Sequence, residues 1–138
     1  DHRILNSFVS TVVNEFYNFS GYFKEVGFGD KGGVMVGFFG APVGIVFSID
    51  KKLELGSWLD YGMFIENIML IALAKGVQSC PQAAWASYHS ILRKHLNIPE
   101  DEAVICGMSL GYIDEAAPEN QLQTERAPVP EFTKFIGF

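Results

Sequence analysis

SWLDYGMFIENIMLIALAKGVQSCPQAAWA, residues 57–86, holds two abrupt changes of character in thirty residues. From Trp58 to Lys75 apolar side chains point in nearly every direction around a helix: Leu59, Met63, Phe64, Ile65, Ile68, Met69, Leu70, Ile71 and Leu73. Only Asp60, Glu66, Asn67 and Lys75 interrupt them. A helix without a polar side is buried on every side. In a chain of 138 residues that much burial calls for a partner chain. Ser57, with Asp60 three residues later, has the spacing of a capping box. Lys75 and Gly76 end the helix with a cation in its last turn and a glycine stop. SCPQAAW, residues 79–85, then reads as a turn of small residues, without a nucleophile that has a partner, a metal spacing or a phosphate loop.

Working outward, a second helix is expected over 84–96, with Trp85, Tyr88, Ile91, Leu92, His95 and Leu96 in helical period and Asn97-Ile98-Pro99 as its stop. Two β-rich apolar runs flank the helices, VGIVFSI at 43–49 and AVICGMSLGY at 103–112, and both read as buried strands. Residues 3–25 place Ile4, Leu5, Phe8, Val9, Val12, Val13, Phe16 and Tyr17 at helical spacing, so an amphipathic helix, or two short ones, is expected there. Residues 27–44 carry seven glycines and read as a flexible connection. The tail after Tyr112 is polar and proline-rich, then apolar at Phe132, Phe135, Ile136 and Phe138, like an extended arm with anchors at its end.

Composition narrows the function classes. Hydrophobic residues make up 49% and aromatics 14%, with twelve phenylalanines, so the chain is globular and reads as a single domain over residues 1–138. A net charge of -6 and a pI near 4.9 disfavour a nucleic-acid or anionic-membrane surface. No apolar run reaches the length of a membrane span. Cys80 and Cys106 are too far apart for a C-x-x-C unit and read as reduced thiols of a cytoplasmic protein. The chain opens on Asp1 without a methionine, directly in an apolar pattern, as a fragment would.

Candidate chemistry is sparse. Gly27-Phe28-Gly29-Asp30-Lys31-Gly32 matches G-x-G-x-x-G, but a dinucleotide fingerprint needs a strand before it and a helix after it, so a plain loop is the better reading. His89 and His95 are six apart and share no helix face at i, i+4 spacing, and His2 is terminal, so no metal site is expected. No serine sits in G-x-S-x-G, and no catalytic side chain is singled out. Asp60, Glu66, Glu100, Asp101, Glu102, Asp114 and Glu115 fall mostly at caps and turns, as a solvated acidic face. Arg126 stands two residues before Pro128, in a stretch read as extended, within NQLQTERAP at 120–128. Such a guanidinium suits a phosphate or carboxylate, or else pairs with a surface Asp or Glu.

Taken together, GAPVGIVFSID (40–50), the stretch at 57–86, LNIPEDEAVICGMSLGY (96–112) and PENQLQTERAPV (118–129) resemble the FMN-dependent nitroreductase family, in order, over residues 36–130. The resemblance implies an α+β fold, a three-layer α-β-α sandwich with a mixed, mainly antiparallel sheet. It also implies a homodimer built on the long apolar helix, with the C-terminal arm reaching over the partner. In the family the turn after that helix lies against the flavin, its backbone amides approaching N5 and O4, and Pro81, Gln82, Ala83 and Ala84 occupy that place. Arg126 matches an arginine on the FMN phosphate, and Thr124 matches a neighbouring phosphate contact where some relatives carry lysine.

The implied activity is a ping-pong oxidoreductase. NAD(P)H delivers hydride to the flavin and leaves, and a nitroaromatic, quinone or similar small aromatic acceptor then takes two electrons. Phe16, Tyr17, Phe23, Phe38 and Phe39 are candidates for the wall of that site, or else are core packing. The family's N-terminal portion has no counterpart in these 138 residues, and with it go two of the usual phosphate anchors. Two other readings stand beside this one: a cofactor-free dimerisation or binding module on the same fold, and a relative that uses the flavin for dehalogenation or desaturation.

Overall fold

The computed structural model describes residues 8–13 and 37–137. Four strands, β1 (Phe8–Val13), β2 (Val43–Asp50), β3 (Gln78–Gln82) and β4 (Glu102–Gly111), form a sheet in the order β1-β2-β4-β3, and each pairing is antiparallel. β4 lies between β2 and β3 and runs against both, so β2 and β3 are parallel and need a crossover. Helix α1 (Leu55–Ala74) is that crossover.

α1 seats a stripe of Tyr61, Phe64, Ile65, Ile68 and Met69, at helical spacing, on Ile45, Phe47 and Ile49 of β2 and Cys106 and Met108 of β4. The opposite face of the sheet is covered by a 3-10 turn (Ala83–Tyr88) running into α2 (His89–Leu96). There Phe38, Val46, Trp85, Leu92, Ile98 and Val104 close a second core. The layers are thus helix, sheet and helix, the expected α-β-α sandwich. Residues on one strand serve both cores because strand side chains alternate in direction.

A bulge in β4 adjusts that alternation. Phe47 pairs with Cys106 while Ser48 pairs with Val104, which leaves Ile105 as an extra residue in the ladder. Ala103 and Ile105 face α1 before the bulge, and Cys106 and Met108 face it afterwards. At the end of α1, Gly76 adopts φ 75. Its N–H donates to the Leu73 carbonyl at 2.9 Å and the Val77 N–H to the Ala72 carbonyl at 3.0 Å, the double bond of a Schellman stop. This is the glycine ending expected from Lys75-Gly76.

Several sequence expectations are corrected. Residues 8–13, within the expected N-terminal helix, form β1. Val9, Thr11, Val12 and Val13 are β-branched and stiff at χ1, which favours a strand once β2 offers an open edge to pair with. The rest of 3–25 lies outside the described residues, as does the Gly27–Gly32 loop. Ser57 does not cap α1, which begins two residues earlier after Glu54 and has no side-chain cap. Residues 79–82 are strand rather than turn, and the expected helix over 84–96 starts as a 3-10 turn and becomes α-helical only at His89.

Burial separates the two thiols. Cys80 is exposed on β3, whereas Cys106 is buried beneath α1, where desolvation raises its pKa from 9.0 to about 11. A buried thiol resists ionisation, so Cys106 stays protonated and inert at neutral pH. Its folded pKa lies above the unfolded one, so its contribution to stability is complete below about pH 9 and is lost as pH rises towards about 11. Thiol titration of the native chain is therefore expected to modify Cys80 at once and Cys106 only on unfolding, and a fast second equivalent at Cys106 would contradict this placement.

Candidate functional site

Among the described residues β3 is an outer strand of the sheet, which is why it tolerates Pro81: an edge residue can lack a ladder N–H where a central one cannot. Pro81 therefore brings no donor, and the N–H groups of the stretch belong to Gln82, Ala83 and Ala84. Gln82 is the last residue of β3, and its side chain turns inward, 7% exposed. Its Oε1 accepts from Trp85 Nε1 at 3.1 Å and from Ser109 Oγ at 3.3 Å. The bond to Trp85 spans Ala83 and Ala84.

Trp85 is fixed in turn. A Cβ on Gly107 would stand 2.4 Å from Trp85 Cδ1, so the indole occupies the space that any other residue of β4 would fill. Phe38 stacks on the indole at 4.5 Å and 23°, and Tyr88 meets it edge-on at 6.3 Å. Between these anchors Ala83 is exposed and Ala84 half-buried. Their side chains are only methyl groups, and the first N–H groups of a helical turn have no partner inside it.

The C-terminal arm is different in kind. Residues 118–132 are exposed throughout, and the arm's hydrogen bonds stay local: Asn120 to the Asp114 carbonyl, Gln121 to the Glu115 carbonyl, and Arg126 Nη1 to Thr124 Oγ1 at 2.5 Å and to the Glu125 carbonyl at 3.1 Å. The fold thus brings Thr124 and Arg126 together. Among the described residues no hydrogen bond joins them to Pro81–Ala84.

Of the proposed wall, Phe16, Tyr17 and Phe23 lie outside the described residues. Phe38 is fully buried against Trp85 and is core, while Phe39 is 53% exposed. Among the described residues no group of three His, Cys, Asp or Glu side chains could hold a metal ion, and no helix is long and apolar enough to cross a membrane.

Sequence reasoning missed Arg93. It lies on a groove of about 600 Å³ with Lys51, His89 and Lys94, none of them part of the Pro81–Ala84 stretch. Its guanidinium donates to the carbonyls of Pro99 and Glu102 and ties α2 to the start of β4. The missed Trp85–Gly107 contact had one signal in the sequence, a glycine in the middle of an otherwise bulky strand.

Three comparisons bear on this geometry. The pattern of the nitroreductase family matches residues 30–112. The 4-nitrobenzoate reductase of Pseudomonas putida is 44% identical over 106 residues, which are 77% of this chain and 47% of that protein. The nitrobenzene nitroreductase of Ectopseudomonas oleovorans is 46% identical over 99 residues, 72% of this chain and 44% of that one. The chain thus spans about half the length of the curated relatives it matches. Among solved structures, the FMN-dependent nitroreductase NfnB of Mycobacterium smegmatis, in complex with NADPH, superposes with a TM-score of 0.82 over 94% of this chain and 79% of that one. At 20% identity that likeness speaks for the fold alone. Sequence pattern, relatives and architecture agree, and the chain belongs to the nitroreductase family.

Proposed function

We propose that this chain is the C-terminal part of an FMN-dependent NAD(P)H oxidoreductase that acts as a cytoplasmic homodimer on nitroaromatic, quinone or similar flat acceptors. The observation that carries the reading is the state of Arg126. Among the described residues its bonding partners are neutral, a hydroxyl and a main-chain carbonyl, so its charge is left for an anion. An arginine paired with a surface carboxylate, the competing expectation, would have that charge answered. Thr124 accepts from Arg126 and retains its own hydroxyl proton, so the pair offers two donors of the kind a phosphate takes.

The turn supplies the other half. Ala83 and Ala84 are small, and the turn they form is held at both ends by Gln82 and Trp85, which fits a planar ring lying against the backbone. Bound there, FMN would supply the redox chemistry, taking a hydride from NAD(P)H and passing two electrons to the acceptor. The residues bind and orient it, and the small side chains keep the approach to the ring open.

α1 supports the dimer. Opposite its buried stripe it carries a second apolar ridge of Leu59, Met63, Leu70 and Leu73, each more than half exposed within one chain. A ridge of that size suits a second copy. Relatives named for nitrobenzoate and nitrobenzene reduction favour nitroaromatic acceptors over the wider class.

Arg126→Ala tests the reading. A charge-assisted hydrogen bond contributes about 1.5–3 kcal/mol, so FMN affinity measured by fluorescence quenching on the full-length protein should drop about tenfold or more. Unchanged affinity would put the phosphate elsewhere. A wild-type protein that takes up no FMN would leave the cofactor-free module as the answer.

A further inference from the structure

Gln82 does more than the fold requires. Its one carbonyl oxygen receives the indole N–H of Trp85 and the hydroxyl of Ser109, and Gln82 and Ser109 are both buried. Apolar residues of matching shape would serve stability about as well, since replacing both partners of a buried hydrogen bond is nearly neutral. What such a network adds is a fixed geometry.

The geometry it fixes is that of two residues. Gln82 is held by its pairing with Gly107 in the ladder, and Gly107 is also the residue against which Trp85 lies. One position of β4 therefore locates the residues on both sides of Ala83–Ala84, and the Gln82 side chain ties them to each other. The N–H groups between them cannot swing away without breaking a buried contact.

We propose that Gln82 is a positioning residue: through its side-chain carbonyl it holds the Ala83 and Ala84 peptide units at the flavin, and so sets the reduction potential of bound FMN. This rests on the FMN reading above. Reduction adds electron density to the ring system, and a donor fixed in advance stabilises that density better than one that must be reoriented. A loosened turn should make the bound cofactor harder to reduce.

The test uses the full-length protein loaded with FMN and reads the cofactor's midpoint potential by dye equilibration, beside its dissociation constant. Gln82→Met keeps length and bulk and removes the acceptor. It should still bind FMN, while the preference for reduced over oxidised cofactor falls about tenfold, which for a two-electron couple is about 30 mV to lower potential. Ser109→Ala removes one of the two bonds and should move the potential the same way by less; it also decides the matter if Gln82→Met does not fold. Tyr61→Phe breaks a buried hydrogen bond on the opposite face of the sheet, from the Tyr61 hydroxyl to the Ser48 carbonyl at 2.8 Å, and should leave the potential in place. Wild-type potentials in the folded variants, or an equal shift in Tyr61→Phe, overturn the positioning role while leaving the FMN reading intact. A wild-type protein that binds no FMN overturns both.

Discussion

Alanine at position 107 should lower the stability of the fold by about 3 kcal/mol, the upper end of the usual cost of overpacking. The added Cβ would meet Trp85 at 2.4 Å, far inside van der Waals contact, and the indole has little freedom to retreat. It is stacked on Phe38, meets Tyr88 edge-on, and donates to Gln82. Relief must come from the β4 backbone or from loss of that hydrogen bond, and either is costly in a close-packed interior. Urea unfolding monitored by tryptophan fluorescence should show the midpoint fall with an unchanged slope. Gly56→Ala in α1 is the matched control. A Cβ there meets nothing within 4 Å, so the replacement should leave the midpoint where it is or raise it slightly. If Gly107→Ala were as stable as the wild type, the indole could not be seated as described.

The second large effect lies on the other side of the sheet. Leu70 is 55% exposed in the single chain, so a charge there should change the monomer's own stability by no more than about 0.5 kcal/mol. In the proposed homodimer the same position is covered. Leu70→Glu would then bury an unpaired carboxylate, a penalty of about 3–5 kcal/mol, or roughly two to four powers of ten in the dissociation constant. Sedimentation velocity of the full-length protein should show the variant as a folded monomer at concentrations where the wild type is dimeric. FMN uptake should weaken with it if the arm of one copy serves the turn of another. A variant that dimerises like the wild type would place the interface elsewhere.

These residues show what could be read from the sequence and what could not. The runs at 43–49 and 103–112 became β2 and β4 within a residue or two, because each carries a dense β-branched or apolar signal that only a buried strand satisfies. α1 was equally plain, and its ending at Gly76 came out as expected. Its start did not, since Ser57-x-x-Asp60 is a local pattern that the preceding Leu55 and Gly56 overrode by continuing the helix backwards.

Two harder errors share a cause. The apolar residues of 8–13 fit a helical period, and their β-branched density lost weight until a neighbouring strand gave it meaning. Cys-Pro suggested a turn because proline is rare inside sheets; that β3 is an outer strand is a property of the whole topology, invisible in five residues. The site divides in the same way. Pro81–Ala84, Thr124 and Arg126 could be picked out by family resemblance. The contacts that hold the turn join residues 22 to 27 positions apart, Trp85 with Gly107 and Gln82 with Ser109, and no local pattern announces them.

The unpaired Ile105 has a consequence for how this family can vary in length. Elsewhere in β4, dropping one residue would turn over every side chain on one side of the gap, exchanging core for core. At Ile105 the surplus is already present. Removing it would leave Val104 beside Ser48 and Cys106 beside Phe47, so both flanks keep their faces. Descendants of this chain can therefore shorten the strand at that one point, giving up the bend and the packing of Ile105 beneath α1 but no register.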